Sequence, residues 1–281
     1  MRSKNGEWEE RMKAVVLVDN ISQGDISGEW GLSIYIEYQE KKILLDTGAS
    51  DLFVKNAAKL NKELQKVDYA VLSHAHYDHA DGMRAFYQNN QRAAFYLQKG
   101  SEENCYMKKW IFHKYIGLPR GILEEYRDRI IFAEGDYSLC QGVSLIPHKT
   151  AGLSEIGRRN CMYVRSKSGW NPDDFSHEQS LVFETTEGLV IFNSCSHGGA
   201  DNIINEIKAT YPGQKIRALI GGFHICNRPE AEVRALGQRI KETGIEEIYT
   251  GHCTGKKAFA ILKEELGTAA HQLHVGLEME F

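Results

Sequence analysis

Four side chains of types that commonly bind metal ions lie within a stretch of six positions. His74, His76, Asp78 and His79 lie in the stretch VLSHAHYDHADG, which runs from 71 to 82. Imidazole and carboxylate groups are ligands that Zn²⁺, Mn²⁺ and Fe²⁺ accept. Because the chain has only 11 His in 281 residues, this clustering favours a metal site over a surface loop that happens to be rich in histidine.

The residues around this motif predict how the four ligands are held. The apolar run from 69 to 72 is typical of a buried strand, and the segment from 80 to 87 has the composition of a helix. Alternate residues of an extended segment point to the same side, so His74 and His76 can reach one cation together. Asp78 and His79 follow the turn and can reach a second cation. The pattern therefore predicts a metal-binding loop between a strand and a helix.

Length and charge limit the classes of protein to which the chain can belong. With 281 residues, 42% of them hydrophobic, it can bury a large core. We predict a flexible leader at 1–11 and a single domain at 12–281. The net charge of −4 and the pI near 6.3 give no electrostatic reason to expect nucleic acid or an anionic membrane as a partner. Nothing in the sequence indicates the oligomeric state.

Apolar runs and cysteines bear on where the protein functions. The longest apolar runs, such as 14–18 and 188–192, are far too short to span a bilayer. The first eleven residues are polar and lack the apolar segment of a signal peptide. The six Cys include no CxxC pair, which fits reduced thiols better than a disulfide framework. These features predict a cytoplasmic protein.

An internal similarity suggests two related halves. The segment SIYIEYQEKKILLDTG, starting at Ser33, aligns without gaps with SLVFETTEGLVIFNSC, starting at Ser180, and Asp46 lies over Asn193. A genuine repeat would give two similar sheets face to face. Hairpins of this length also resemble one another by chance, since short alternation is a weak signal. The sequence alone gives the two interpretations equal weight.

Most of the remaining chain alternates between helical and extended patterns. Helices are predicted at 49–64, 80–89, 202–208 and 231–241, and strands at 67–73, 93–97, 216–220 and 246–250.

The segment from 100 to 175 is less regular and mixes aromatic with basic residues. Long insertions of this kind are often lids or substrate-binding elements. We predict that this one covers the metal site and selects the substrate, with Lys149, Arg158 or Arg159 contacting an anionic group. A solvated surface with aromatic side chains packed beneath it is an equally good interpretation for any one of these residues.

Apolar strands run into His or Cys at four places further along the chain. These places carry His177 with Glu178, Cys195 with His197, His224, and His252 with Cys253. A His or Cys at the end of a buried strand is often only a packed, hydrogen-bonded group of the core.

The HxHxDH arrangement between a strand and a helix resembles the metallo-β-lactamase superfamily. A wider set of motifs, DN, GLS, LLDTG, LSHAHYDHADG, NSCSHGG, GGFH and GHCTG, extends from Asp19 to beyond Gly255. This set is similar to the branch of the superfamily that includes archaeal ribofuranosylaminobenzene phosphate synthase and proteins described as metal-dependent hydrolases. The resemblance implies an α/β fold of four layers, αββα, in which two facing mixed β-sheets are flanked by helices.

The resemblance also implies a centre with two divalent ions, zinc first, with manganese or iron as alternatives. It assigns His74 and His76 to the first ion, Asp78, His79 and His252 to the second, and Cys195 to the position of a bridging aspartate. A thiolate there would favour zinc or iron over magnesium.

The third ligand of the first ion stays open on the sequence. His177 is preferred, with Glu178 and His148 as rivals.

Three other polar residues are expected to support the centre. His197 and His224 are expected to contact the substrate or to orient ligands, and Asp46 to orient a ligand from behind.

The implied activity is hydrolysis of a phosphoester, lactone or thioester, above all a phosphorylated one, by a water that the metals activate. Asp78 would orient that water and carry a proton. One alternative is a synthase or lyase that binds a phosphoribosyl substrate and adds no water. Another is an iron-binding redox module, which His76 disfavours because superfamily members that reduce oxygen or nitric oxide have Glu at that position.

Overall fold

The computed structural model describes residues 12–281, and the predicted leader at 1–11 lies outside the described residues. The strands are β1 (Met12–Val18), β2 (Ser33–Tyr38), β3 (Lys41–Leu45), β4 (Tyr69–Val71), β5 (Ala94–Gln98), β6 (Cys105–Lys109), β7 (Phe112–Tyr115), β8 (Ile130–Ala133), β9 (Tyr137–Cys140), β10 (Val143–Pro147), β11 (Met162–Ser166), β12 (Gly169–Pro172), β13 (Gln179–Thr185), β14 (Gly188–Phe192), β15 (Ile216–Gly221), β16 (Glu247–Thr250), β17 (Ala270–Gln272) and β18 (Glu278–Glu280). The α-helices are α1 (Leu52–Lys59), α2 (Tyr77–Ala80), α3 (Met83–Asn89), α4 (Ile122–Glu125), α5 (Leu153–Arg159), α6 (Ala200–Thr210), α7 (Glu230–Glu242) and α8 (Lys256–Leu266).

Two seven-stranded mixed sheets form the centre of the fold. Their strand orders are β18-β1-β2-β3-β4-β5-β8 and β17-β16-β15-β14-β13-β10-β9. In the first sheet β1, β2 and β3 are antiparallel neighbours, and β4, β5 and β8 then add in parallel. In the second sheet β10, β13 and β14 are antiparallel, and β15, β16 and β17 add in parallel. The two sheets therefore have the same topology.

The two hairpins that align in the sequence also pair in the same register. Ile34 pairs with Leu45 in the first sheet, and Leu181 pairs with Phe192 at the equivalent place in the second. The shared register and topology favour a structural repeat over a chance similarity of short strands.

The main core lies between the two sheets. Residues from both sheets, such as Val16, Ile36, Phe183 and Phe192, form one buried apolar cluster. On the outer face of the first sheet Phe53 of α1 and other apolar side chains of α1 and α3 form a second cluster, and α6, α7 and α8 cover the outer face of the second sheet. Helix, sheet, sheet and helix thus make four layers, and the predicted α/β fold of αββα type is confirmed.

The segment from 100 to 175 is more regular than predicted. β8 joins the first sheet, β9 and β10 join the second, and a third, antiparallel sheet has the order β12-β11-β6-β7. The prediction of an irregular stretch was wrong. These strands have four or five residues each and stay partly exposed, so they lack the alternation of buried and exposed positions that identifies a longer strand.

Among residues 12–281, no helix combines the length and the apolar character needed to cross a membrane.

Candidate metal centre

The candidate site lies where parallel strands of both sheets end. The carboxyl ends of neighbouring parallel strands meet at one edge of a sheet, and the loops beyond that edge form a crevice. The loops that carry site residues follow β3 (Asp46), β4 (His74 to His79), β14 (Cys195 and His197), β15 (His224) and β16 (His252). The fold therefore brings together residues that are distant in the sequence.

One group of possible ligands combines the first two histidines of the motif with His197. The ligating atoms of His74, His76 and His197 all lie within 4.8 Å of one another, and all three side chains are buried. The Nε2 atom of each ring has no hydrogen-bond partner among the described residues. A buried imidazole nitrogen that lacks a partner is unusual in a protein core and fits a bound cation.

A second group lies beside the first. Nε2 of His79 lies 3.2 Å from Nε2 of His252 and 3.3 Å from Sγ of Cys195. Oδ2 of Asp78 lies 3.5 Å from Nε2 of His252. The ligating atoms of His74, His79 and Cys195 also lie within 4.8 Å of one another, so Cys195 lies where the two groups meet.

Each of four histidine rings is held from behind through Nδ1. The partners are Ser73 for His74, Asp46 for His79, Glu178 for His197 and Asn20 for His252. An N–H group at Nδ1 that donates to such a partner leaves the lone pair on Nε2, which then faces the centre of the site. This arrangement of outer partners is typical of histidines that ligate metals.

Asp46 is the most heavily used of these outer partners. Its carboxylate accepts hydrogen bonds from the backbone N–H and the hydroxyl of Ser73, each 2.7 Å long, and from Nδ1 of His79 at 2.7 Å. Asp46 has a positive φ of 58°, which is uncommon for a non-glycine residue. One carboxylate therefore orients His79 directly and His74 through Ser73.

Burial sets the charge of the imidazoles. Burial, followed by the neighbouring histidines, holds the pKa of His74 and of His76 well below the usual value. Burial also lowers the pKa of His197, although Glu178 opposes it. Neutral imidazoles carry the free lone pair that a cation needs.

Cys253 is a site residue that the predicted set omits. Its Sγ lies 3.3 Å from Sγ of Cys195 and accepts the backbone N–H of His224 at 3.2 Å. Burial raises the pKa of Cys195, and Cys253 adds to the effect. Burial also opposes ionisation of Cys253, but Cys195 and His252 together lower its pKa well below the usual value. Its position next to His252 in GHCTG is the sequence signal that could have identified it.

The preferred third ligand, His177, has neither ring nitrogen free. Nδ1 accepts the backbone N–H of Ala75 at 3.2 Å, and Nε2 lies 3.1 Å from Oδ2 of Asp173. His177 belongs to a neighbouring buried group with His76, Cys105 and Asp173. Both this group and the group that contains His197 have the side-chain types of a metal site, but only His197 has an Nε2 atom without a hydrogen-bond partner among the described residues.

The two rivals of His177 lie behind His197 rather than in the centre. One carboxylate oxygen of Glu178 accepts from His197, and the other lies 2.8 Å from Nε2 of His148. Burial lowers the pKa of His148, but Glu178 and Glu206 raise it to about 10. His148 is therefore a charged partner of Glu178 and has no lone pair for an ion.

A cavity of about 210 Å³ opens over the two ligand groups. Met107 and Met162, from the third sheet, and Ile116 line its apolar side. Trp30 lines the same cavity and donates from Nε1 to Oδ2 of Asp78 at 2.8 Å. Part of the segment from 100 to 175 therefore borders the site.

A larger cavity of about 550 Å³ adjoins the first one, and His197 and His224 line both. Neither cavity is lined by Lys149 or Arg158, which the sequence assigned to the substrate. Lys149 Nζ lies 2.8 Å from Asp136 and 2.8 Å from Thr210, and Arg158 is exposed with Glu155 3.6 Å away. Both side chains are directed to partners at the surface. Arg159, the third basic residue of the prediction, lines the larger cavity.

Comparisons with known proteins agree with this architecture. The profile of the metallo-beta-lactamase superfamily matches residues 31–138. The chain thus combines two facing mixed sheets and a histidine cluster at their strand ends with a region that matches this superfamily, and the resemblance drawn from its sequence motifs is confirmed. This fold implies binding of divalent metal.

Three known proteins are similar to the chain over most of its length. The 7,8-dihydropterin-6-methyl-4-(β-D-ribofuranosyl)-aminobenzene-5'-phosphate synthase of Methanocaldococcus jannaschii is 25% identical, over 89% of this chain and 90% of that protein. The crystal structure of a metal-dependent hydrolase of the beta-lactamase superfamily has a TM-score of 0.79 at 29% identity and covers 96% of this chain and 99% of that one. Zn²⁺-bound PqqB of Methylobacterium extorquens shares the fold, with a TM-score of 0.55 at 13% identity over 95% and 99% of the two chains. These similarities support a hydrolase-like enzyme.

Proposed function

We propose that this protein is a dinuclear metal-dependent hydrolase that acts on a phosphorylated or ester-type small molecule. The observation that carries the proposal is the meeting of two ligand groups at one sulfur. Sγ of Cys195 lies 3.3 Å from Nε2 of His79 and shares a cluster with His74. A single thiolate between two sets of imidazoles is an arrangement that suits two neighbouring cations.

The proposed ligands divide between the two ions. His74, His76 and His197 would hold the first ion, Asp78, His79 and His252 the second, and Cys195 would contact both. Buried Nε2 atoms without partners support this assignment. Imidazole and thiolate together favour zinc, with iron or manganese as alternatives. Bound divalent ions would lower the pKa of a coordinated water and neutralise negative charge that develops on the substrate.

Asp78 is the proposed proton carrier. Burial raises the pKa of its carboxyl, but His79, His252 and His76 together hold that pKa well below the usual range. The carboxylate is therefore ionised, and the Trp30 N–H fixes its Oδ2 atom. An ionised, oriented carboxylate beside the ligand groups can accept a hydrogen bond from an attacking water and direct it, and its proton-carrying role would require the substrate or the bound ions to change its basicity.

The third sheet is the proposed lid. Met107 and Met162 put apolar atoms over the ligand groups, and a cover of this kind excludes water from the reacting atoms and strengthens electrostatic contacts beneath it.

We further propose that residues 12–281 form a single domain and that the protein functions in the cytoplasm. The six free cysteines support this location.

A synthase remains the second candidate because one relative over 89% of the chain is named as a synthase. The two activities differ in their use of water. Turnover in ¹⁸O-labelled water puts label into the product of a hydrolase and leaves the product of a synthase unlabelled.

The experiment that tests the proposal removes one ligand. His76→Ala should lower both the bound metal, measured by inductively coupled plasma mass spectrometry, and the hydrolysis of phosphodiester and thioester substrates, the latter by at least about 10³-fold. His274→Ala is the matched control, because His274 lies outside the cluster and contacts the backbone of Val275. Full hydrolysis by the metal-free His76→Ala protein would refute the proposal.

A further inference from the structure

The larger cavity beside the metal centre has no role in the mechanism derived above. It has a volume of about 550 Å³, and His197 and His224 separate it from the cavity over the ligand groups. A group bound in it would therefore lie next to whatever occupies the cavity over the ligand groups. Its size exceeds that of a single small leaving group, and its lining is rich in charged and polar side chains.

Three arginines line this cavity, and two of them are paired with carboxylates. Arg239 donates to Asp201 at 2.6 Å, and Arg159 donates to Glu232. Arg228 donates only to the neutral side-chain oxygen of Asn160, and within residues 12–281 it has no carboxylate at ion-pair distance. Burial and the nearby Arg159 lower the pKa of Arg228, although Glu232, the partner of Arg159, opposes them. The cavity thus carries a positive charge that an anion would satisfy.

Neutral donors also line this cavity. The loop Ser196 to Gly199 leads into α6, and no side chain caps the first turn of this eleven-residue helix. The first backbone N–H groups of a helix attract anions. Ser196 is buried with 1% of its surface exposed, lines the cavity and has a hydroxyl without a hydrogen-bond partner among the described residues.

Glycine is required where this loop meets the helix. Gly199 has φ 101°, and a Cβ atom there would lie 3.1 Å from Oδ1 of Asp201. The Asp201 carboxylate beside this loop is itself bound to Arg239. Gly199 lines the cavity, so the cavity reaches the backbone of the loop.

We propose that this cavity binds a phosphate group of the substrate. Arg228 supplies the charge, and the Ser196 hydroxyl and the first turn of α6 supply neutral donors. A guanidinium together with backbone N–H groups is a combination that recognises phosphate. This inference rests on the proposed function and makes it narrower, because the molecule cleaved at the metals must then carry a phosphate that is not itself cleaved.

The first test measures phosphate binding without turnover. Inorganic phosphate is titrated calorimetrically into metal-loaded wild type, Arg228→Gln and Arg127→Gln. Arg127 is the matched control, an exposed arginine that is paired with Glu124 and does not line the cavity. The affinity should fall about tenfold in Arg228→Gln, as expected when a charged hydrogen bond is lost, and stay at the wild-type value in Arg127→Gln. Equal affinity in all three proteins would overturn the proposal.

The second test locates the phosphate and separates it from direct binding to metal. Phenylglyoxal modifies arginine, and peptide mass spectrometry reports the rate at each position. Phosphate should slow the modification of Arg228 by about tenfold, in metal-loaded and in chelator-treated protein alike, and leave Arg127 unchanged. Protection of Arg228 that disappears with the metal would also overturn the assignment, because phosphate would then be bound by the ions.

The third test connects the cavity to the substrate. For an ester that carries a second phosphate, Arg228→Gln should raise KM about tenfold. For the same ester without that phosphate, KM should not change. Equal effects on both esters would show that Arg228 does not contact the second phosphate and would contradict the proposal. Phosphate binding without hydrolysis of any ester would count against the proposed function and leave this inference standing.

Discussion

The two sheets have the same topology but deliver their site residues in different ways. The first sheet places its four possible ligands in one loop, after β4. The second sheet distributes its contribution over the ends of β14, β15 and β16, which carry Cys195 and His197, His224, and His252. A contiguous motif needs only a local turn to assemble. The second set needs three strands in the correct order, so its geometry depends on the whole sheet.

The equivalent positions Asp46 and Asn193 show the same difference in chemistry. The Asp46 carboxylate accepts hydrogen bonds from Nδ1 of His79 and from the hydroxyl of Ser73. Asn193 accepts the backbone N–H of Ser196 at 2.7 Å and donates to Ser180 at 3.0 Å. The carboxylate of Asp46 therefore orients ligating histidines, whereas the amide of Asn193 holds the backbone of the loop that carries Cys195 and His197.

The largest effect is expected from removing one ligand of each half. His79→Ala and His252→Ala should each lower turnover by about 10³–10⁴-fold, because both rings contact the same centre, 3.2 Å apart. The double variant should be no worse than either single one, which kinetics on purified proteins would measure. Additive losses would mean that the two halves act independently.

A smaller effect distinguishes the two candidate third ligands. His197→Ala should lose bound metal, because its Nε2 atom faces the centre without another partner. His177→Ala should keep its metal and lose about 2–3 kcal/mol of unfolding free energy, since Oδ2 of the buried Asp173 loses its hydrogen bond to His177 and only Oδ1 keeps a partner, the backbone N–H of Phe175. Metal content and chemical denaturation of the two variants provide the measurements. Loss of metal in His177→Ala with retention in His197→Ala would reverse the assignment.

The smallest effect is expected from Asp46 and Asn193, which occupy equivalent positions in the two halves. Asp46→Asn should weaken metal binding about 10–100-fold, because the charged partner of His79 is lost. Asn193→Asp should leave metal affinity unchanged and lower stability by about 1–3 kcal/mol, since it removes the donor to Ser180. Competition with a chromogenic chelator and thermal denaturation separate the two outcomes. Equal metal affinities in both variants would show that the difference between the halves has no functional meaning.

The sequence predicts the architecture and the contiguous motif well, for a physical reason. A buried strand that runs into HxHxDH is a local pattern, and its residues remain neighbours in any fold that keeps the strand. The register of the two hairpins is similarly a property of short segments. Both can be inferred without knowledge of distant contacts.

The third ligand could not be inferred in this way. His177 lies just before an apolar strand and His197 just after one, and the sequence does not reveal which ring nitrogens are occupied. The difference arises from Ala75 and Asp173, which use both nitrogens of His177, and from Glu178, which uses only one of His197. The role of the basic residues also depends on their partners in the fold. Arg158 lies 3.6 Å from Glu155, whereas Arg228 has no carboxylate at ion-pair distance among the described residues and donates to Asn160.

The roof of the cavity over the ligand groups is made in part of methionine. Met107 and Met162 reach it from β6 and β11 of the third sheet. Methionine side chains are unbranched, polarisable and able to change rotamer at small cost. Such a roof can fit leaving groups of different shapes, so the enzyme should accept a range of alcohols or thiols on the cleaved side while the rigid strand ends below hold the reacting centre fixed.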